Sequence, residues 1–376
     1  MQYREFGKTG VKVSALGFGC MRFPVLENGE INEEEAVKQL RYAIDKGINY
    51  LDTAYVYHGG KSEGLLAKAL KDGYREKVYI ADKNPVWLVN KYEDFEKYLD
   101  EQLARLETDH IDFYLLHALD KNRWNKIKEL GAREFLDKAL KNGKIKHAGF
   151  SFHDDVAAFK QIVDDYDWDF CQIQYNYMDE YNQAGTEGLE YAASKGLAVI
   201  IMEPLLGGKL AKTPPKVVQE IWDKAEIKRT PAEWALRWLW NRPEISLVLS
   251  GMNSMEMVEE NMRTAETALP AAMTAEELAL VGEVRDQYKR LTRVNCTACR
   301  YCMPCPFGVD IPGNFATYNE AAIYDNWDNC SKYYNGRKET EKASACAECG
   351  KCEKVCPQHL SIRAYLKELH RELGRA

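Results

Sequence analysis

Eight short apolar runs recur along the first 250 residues, and each is followed by a stretch with helical periodicity. The runs fall near 15–19, 49–54, 78–83, 112–117, 147–151, 170–175, 198–203 and 246–250. The first helix opens at Asn32-Glu-Glu-Glu35, with acids at the positive end of its dipole, and ends near Lys46-Gly47. Later helical patterns cover about 62–73, 91–107, 124–142, 154–164, 187–195, 231–241 and 254–265. Strict alternation of this kind demands a parallel sheet with helices outside it. Gly143 and Gly196 fall where a helix should stop before the next strand. Ahead of the repeat, Tyr3-Arg-Glu-Phe-Gly7 and Val11-Lys-Val-Ser14 flank a turn and read as a β-hairpin that plugs the bottom of a barrel.

The strand ends carry the chemistry. Asp52-Thr-Ala-Tyr-Val-Tyr57 follows the second run, Val78-Tyr-Ile-Ala-Asp-Lys83 ends the third, and Phe113-Tyr-Leu-Leu-His117 ends the fourth. Each residue alone has an ordinary explanation: an Asp before a helix is often a cap, a buried Tyr is usually core, and a lone His is usually structural. Acid, phenol, amine and imidazole in that order, each where a strand meets a loop, match a barrel active site.

On these residues the chain resembles the aldo-keto reductase family. The likeness rests on Asp52-x-Ala-x-x-Tyr57 with Ser62-Glu63, on Lys83, and on Leu115-Leu-His117. It continues through Gly149-Phe-Ser151, Gln172-Ile-Gln-Tyr-Asn176, Glu203-Pro204-Leu205, Ser250-Gly-Met-Asn-Ser254 and Glu260-Asn261, and covers residues 1 to about 270. The resemblance implies an α/β fold, a (β/α)8 TIM barrel that binds NAD(H) or NADP(H) and reduces an aldehyde or ketone, or oxidises the alcohol. It implies Tyr57 as general acid/base, Lys83 and Asp52 as the pair that tunes it, and His117 as donor to the carbonyl. A phenol ionises near pH 10, and a nearby ammonium favours ionisation.

The cofactor positions carry over unevenly. The resemblance puts Cys20, Met21 and Asp52 near the cofactor, Ser151 and Gln172 on the carboxamide, and Met202 where an aromatic usually stacks. Gly251, Asn253 and Ser254 open the last barrel helix, where backbone N–H groups suit a phosphate. Glu260 and Asn261 match the adenine-side pair. Phe152 stands where the family commonly has Asn, and Met257 where an Arg often reaches a 2′-phosphate. No Lys or Arg lies between 251 and 262, which leans toward NADH unless a cation from another loop serves. His58 is not a family fixture and reads as a loop residue or part of the substrate mouth. Trp87, Trp124 and Met202 are pocket candidates, with exposed placement or core packing as the alternative. Gly207 to Pro215 reads as a surface loop or an arch over the cofactor.

The chain has 376 residues, longer than a usual barrel of about 250 by one small domain. The expected division is 1–285 for the barrel and 286–376 for a C-terminal domain, after a helix from Thr274 to about Leu291 that opens on a capping box. Of 11 cysteines, only Cys20 and Cys171 precede residue 296. The rest include Cys296-x2-Cys299-x2-Cys302-x2-Cys305-Pro and Cys346-x2-Cys349-x2-Cys352-x3-Cys356-Pro. The second run has the bacterial ferredoxin spacing, and in two-cluster ferredoxins the Cys before Pro ligates the other cluster. The expected sets are Cys296, Cys299, Cys302 and Cys356 for one [4Fe–4S] cluster, and Cys346, Cys349, Cys352 and Cys305 for the second. Four-Cys zinc sites are the rival, though they rarely use three Cys at successive two-residue gaps before Cys-Pro. Cys330 reads as a packed thiol, and the connector 306–345 suggests a mainly helical ferredoxin-like domain. The whole chain resembles the iron–sulfur-bearing branch of the family, found mainly in anaerobes.

Hydride transfer moves two electrons and a [4Fe–4S] cluster takes one, so the clusters are expected to serve electron transfer, partner docking or structure. The competing reading is a redox-sensing or electron-transfer partner subunit whose barrel binds nicotinamide or flavin, with carbonyl turnover secondary. That leaves room for a redox protein partner beside the small-molecule substrate. A net charge of -7 and a pI near 5.7 argue against nucleic acid and anionic membranes. With no apolar run of about 18 residues and no signal-peptide core, the expected location is the cytoplasm.

Overall fold

The computed structural model describes residues 1–298, 300–356 and 358–375. Two compact units emerge: Met1–Ala211 with Arg229–Thr274, and Lys212–Lys228 with the chain from Ala275 onward.

In the first unit, β1 (Tyr3–Glu5) and β2 (Lys12–Ser14) form an antiparallel hairpin. The eight expected strands follow: β3 (Leu16–Gly19), β4 (Tyr50–Asp52), β5 (Tyr79–Asn84), β6 (Ile111–Leu119), β7 (Ile145–Phe152), β8 (Phe170–Gln174), β9 (Ala198–Met202) and β10 (Ile245–Ser250). They close into a parallel barrel in the order β10-β3-β4-β5-β6-β7-β8-β9. The hairpin caps its N-terminal end. Phe6 inserts among barrel rings, 4.3 Å from Phe113 and 5.3 Å from Phe170 by centroid. The Lys8 N–H donates to the Gly196 carbonyl just before β9. Gly7 makes this approach feasible: its φ is 53°, and a Cβ there would lie 2.5 Å from the Ala198 nitrogen.

The helices of this unit begin with α1 (Glu33–Asp45), α2 (Ser62–Ala69), α3 (Tyr92–Leu106), α4 (Lys121–Glu129), α5 (Ala132–Lys141), α6 (Val156–Asp165) and α7 (Gly185–Ser194). Asn32 caps α1 by accepting from the Glu35 N–H. The single helix expected over 124–142 is two helices. Gly131 breaks it with φ 90°, and a Cβ there would meet the Tyr92 ring at 2.9 Å. After β9 the Gly-rich stretch Leu206–Ala211 forms tight turns, and α8 (Lys216–Trp222) belongs to the second unit. Then α9 (Pro231–Trp240), capped by Thr230, and α10 (Met255–Thr267), capped by Ser254, complete the barrel.

The second unit comprises α8, α11 (Ala275–Leu291), α12 (Ile311–Ile323), α13 (Trp327–Asn335), α14 (Lys351–Lys354) and α15 (Ile362–Leu373). Lys224, just after α8, pairs with Glu283 of α11 at 2.7 Å, which helps explain why a barrel-loop segment joins this unit. Its core packs Val309, Phe315, Tyr318, Tyr334, Leu366 and Leu369 together with Cys330, which is 6% exposed. Six cysteines, Cys296, Cys302, Cys305, Cys346, Cys352 and Cys356, pack against that core while staying partly exposed. No helix among the described residues is long and apolar enough to cross a membrane.

Candidate active site and cysteine cavities

The strand ends converge as their order requires. Asp52 is the last residue of β4 and sits beside Ala81 of β5, two residues before Lys83; Lys83 pairs in register with Leu115 of β6, two residues before His117. The Lys83 Nζ donates to Asp52 Oδ1 at 2.6 Å, to the Thr53 carbonyl at 2.6 Å and to the Tyr57 hydroxyl at 3.3 Å. Lys83 and Asp52 are 1% and 3% exposed at the side chain, so the ion pair is dry. The rings of Tyr57 and His117 meet edge-on at 6.2 Å, and Trp87 packs 5.1 Å from His117. Trp124 is instead buried on α4, its indole N–H on Asp165.

Local backbone shape aims these side chains. The β6–β7 register shifts between Leu116 and Leu119, a bulge in which Ala118 takes φ 56°. Ser151 Oγ accepts the Ala118 N–H at 2.7 Å and so holds the strand that presents His117. Ser62 Oγ reaches both Thr53 Oγ1 and the Cys20 carbonyl, which ties the ends of β3 and β4 to the start of α2.

Charges follow from burial and pairing. Burial pulls the Lys83 ammonium down, but Asp52 and Tyr57 outweigh it and the net shift is upward. Burial pushes the Asp52 carboxyl up against the opposing pull of Lys83; the close contact with an ammonium keeps the pair ionised. For Tyr57, burial raises the phenol and Lys83 lowers it, with burial the larger. The ammonium therefore acts in the expected direction, yet the phenol ends above its ordinary value because it is desolvated before any ligand binds. Burial, then Lys83, His153 and Arg123, push His117 well below the ordinary imidazole value, so the ring is neutral. Its Nδ1 is buried with no hydrogen-bond partner, as are Asp52 Oδ2 and Gln172 Oε1.

The other expected cofactor residues lie on the same barrel rim. Ser151 pairs in register with Gln172, and Gln174 with Met202. Cys20 is buried, with its thiol pushed up by burial and by Asp52, while Met21 is exposed. Gly251 and Asn253 are exposed at the start of α10, and Ser254 Oγ accepts the Met257 N–H at 3.3 Å. Two positions are occupied by internal bonds: Asn261 Nδ2 donates to Ser250 Oγ, and Glu260 Oε1 accepts from the Thr230 hydroxyl. His58, with φ 49°, stacks on Phe23 and accepts its N–H, so it braces a loop.

Two residues escaped the sequence reading. Arg22 lies along Gly251, where a Cβ would come within 2.9 Å of its own Cβ, and its Nη2 lies 4.0 Å from a Cβ placed on Gly207. It is a cation beside the α10 N-terminus supplied by a distant loop, and no local motif flags it. His153 is a second imidazole near His117; burial lowers it to about 4. Its ring bonds Gln183, which donates to Gln174.

In the second unit the cysteines line two cavities. Cys302, Cys305, Cys346, Cys349 and Cys352 surround one, with Phe307, Ile311 and Leu366. Cys296, Cys302 and Cys356 line the other, with Phe315 and Ile362. The expected ligand Cys299 lies outside the described residues. The two cysteine runs share one local feature: Ala298 and Arg300 have positive φ two and four residues after Cys296, and Glu348 and Gly350 do so after Cys346. Left-handed residues at these intervals turn successive N–H groups inward, the kind of concavity that holds anions and iron–sulfur groups. The Ala298 N–H already points at Cys296 Sγ, at 3.4 Å.

The comparisons agree with both halves. The family model described as the aldo/keto reductase family matches residues 15–279, and that of a 4Fe-4S dicluster domain matches residues 295–361. L-galactose dehydrogenase of Arabidopsis thaliana is 28% identical over 320 residues, 78% of this chain and 97% of that one. The uncharacterized oxidoreductase YrpG of Bacillus subtilis is 26% identical over 311 residues, 72% and 92% respectively. Among solved structures, the holo form of aldo-keto reductase AKR11C1 from Bacillus halodurans superposes with a TM-score of 0.64 at 25% identity, covering 76% of this chain and 96% of that one. With a closed eight-stranded barrel, the expected strand-end residues in contact and a family model spanning most of its length, the chain belongs to the aldo/keto reductase family and carries a C-terminal 4Fe-4S domain.

Proposed function

We propose that the barrel interconverts a carbonyl compound and its alcohol with NADH or NADPH, and that the C-terminal region holds two [4Fe–4S] clusters. The observation that carries the first half is the single ammonium of Lys83 bonded to both Asp52 and Tyr57, beside a neutral His117 with an unpartnered nitrogen. Reduced nicotinamide, when bound, supplies the hydride. Tyr57 gives the proton to the developing alkoxide, and the Lys83 ammonium stabilises the phenolate left behind. Asp52 keeps Lys83 charged and in place. His117, being neutral, orients the carbonyl by hydrogen bonding without adding a charge.

Ser151 and Gln172, adjacent on the rim, suit a carboxamide, and the unpartnered Gln172 Oε1 is an acceptor awaiting its N–H. Met202 pairs with Gln174, two residues on from Gln172. Gly251, Asn253 and Ser254 offer the α10 N-terminus to the phosphates, with Arg22 as the added cation. Glu260 and Asn261 reach the adenine side only if they exchange their present bonds to Thr230 and Ser250. The similarity to a sugar dehydrogenase keeps the alcohol-oxidising direction within the proposal.

For the second half, the cavities favour the crossed assignment. Cys305 lines one with Cys346, Cys349 and Cys352, Cys356 lines the other with Cys296, and Cys302 lines both. Thiols around an apolar hollow suit a bulky soft group better than one ion.

The test is anaerobic purification with iron and sulfide counted, followed by NADH and NADPH oxidation over a panel of aldehydes and ketones. The expected result is about eight irons per chain and carbonyl-dependent oxidation that Tyr57→Phe slows by about 10²-fold or more. Wild-type activity in Tyr57→Phe defeats the catalytic reading, and about four irons or fewer defeats the two-cluster reading.

A further inference from the structure

Behind Lys83 lies a buried polar network that the reaction does not use directly. Asp82 of β5 and Glu63 of α2 are both 0% exposed. Asp82 Oδ1 accepts the Lys83 N–H at 2.8 Å, and Glu63 Oε2 accepts from Arg105 of α3 at 2.8 Å. Their remaining oxygens, Asp82 Oδ2 and Glu63 Oε1, are buried with no donor. The two carboxyl groups are within hydrogen-bonding reach of each other. Two ionised carboxylates cannot share that contact, since both are acceptors only and like charges repel in a dry site. A single proton between them satisfies both oxygens.

Charge accounting gives the same answer. Lys83 is balanced by Asp52, and Arg105 by Glu63, with partly exposed Glu101 farther from Arg105 at 3.8 Å. A neutral Asp82 leaves the buried cluster without net charge; an ionised one adds an unpaired anion. The other groups facing the pair are Gln102 of α3, whose amide lies within donating reach of Glu63, and Tyr114 of β6. Gln102 Nε2 donates to the Lys83 carbonyl at 3.0 Å and accepts from the Tyr114 hydroxyl at 2.7 Å. Both backbone polar groups of Lys83 are thus held by buried side chains, Asp82 on the N–H and Gln102 on the carbonyl.

We propose that Asp82 and Glu63 share one proton at neutral pH, and that Asp82, locked by that bond, is a positioning residue for Lys83. Burial, with the Glu63 charge adding to it, holds the Asp82 carboxyl well above the usual carboxylate range. The shared proton rests on two fully buried carboxyl groups in contact, each with an oxygen that has no donor; the positioning role rests on the carbonyl-reductase reading.

The sign is definite. A carboxyl whose folded pKa lies above its unfolded value near 3.9 makes the folded chain hold an extra proton. Stability from it is full at low pH and is lost as pH rises toward the folded pKa. Asp82→Asn keeps a donor to Glu63 but cannot titrate. Barrel unfolding of the full anaerobic chain, followed by amide exchange at Ile80–Lys83 from pH 5 to 8, compares the two. The folding constant of the wild type should fall relative to Asp82→Asn by up to about tenfold per pH unit. Glu63→Gln, which lets Asp82 ionise and accept from the amide, should also remove the slope. A ratio flat with pH overturns the shared proton. For positioning, Asp82→Leu should lower kcat with unchanged nucleotide affinity, and Asp82→Asn should restore it. Restored or unchanged kcat in a folded Asp82→Leu overturns the positioning role; should Asp82→Leu fail to fold, an Asp82→Asn kcat well below wild type overturns it. If no form turns over any carbonyl, the proposed function fails, while the pH slope still decides the proton.

Discussion

The ammonium of Lys83 has three oxygen partners from its own chain before any ligand arrives, whereas Cys305, Cys346, Cys349 and Cys352 line a hollow. The first site is set on strands of a closed barrel, and its ammonium is already paired. The second is set on loops with left-handed residues, including the non-glycines Ala298, Arg300 and Glu348, which cost backbone energy. A group held by the thiols would offset that cost. The contrast teaches that the barrel site should outlast loss of its ligand, while the cysteine loops should not.

The strongest way to break this contrast is to remove the iron. Chelation under reducing conditions should release amide protection in the loops around Cys296 and Cys346 and in α12 and α15, with barrel strands unchanged by hydrogen exchange. Equal protection before and after would make the cysteine unit self-sufficient. Next, Tyr57→Phe should cut kcat by about 10²- to 10⁴-fold with iron content and barrel stability intact. Lys83→Met should cost about 3 kcal/mol of barrel stability or more, because it strands the buried Asp52 carboxylate; urea unfolding monitored by tryptophan fluorescence reads this.

A smaller effect sharpens the barrel side. Ser254→Ala removes the α10 cap and should cost about 1 kcal/mol, with weaker dinucleotide binding and no change in iron. On pH, His153 and His117 have folded pKa values below the unfolded 6.5. The unfolded chain then binds more protons, so barrel stability present above pH 6.5 declines as pH falls toward 4. The rate of carbonyl reduction should stay flat from about pH 6.5 to 9, since His117 is already neutral and the raised phenol is still protonated. A step in rate near pH 6.5 would mean that His117 titrates in function.

The barrel was readable because its signals are periodic and local. Strand spacing fixed β3 to β10, and Asp52, Lys83 and His117 could be placed because strand ends in a parallel barrel share one rim. What stayed hidden depends on contacts between distant segments. Arg22 reaches Gly251 across more than 200 residues, and the Asp82–Glu63 contact joins a strand to a neighbouring helix; neither leaves a motif. The break of the helix at Gly131 was missed because the apolar pattern continues through it. The upward net shift of Tyr57 could not be weighed without knowing how dry the phenol is. For the cysteines, spacing named the candidate ligands, but the left-handed residues two and four positions after Cys296 and Cys346 needed the structure.

The most direct measurement follows carbonyl-dependent nucleotide oxidation and the EPR of the clusters together in one anaerobic sample. The account predicts turnover with a reduced pyridine nucleotide that requires Tyr57, while the clusters keep the oxidation state they had before substrate was added. Cluster reduction by NADH or NADPH alone, or turnover undiminished in Tyr57→Phe, would contradict it.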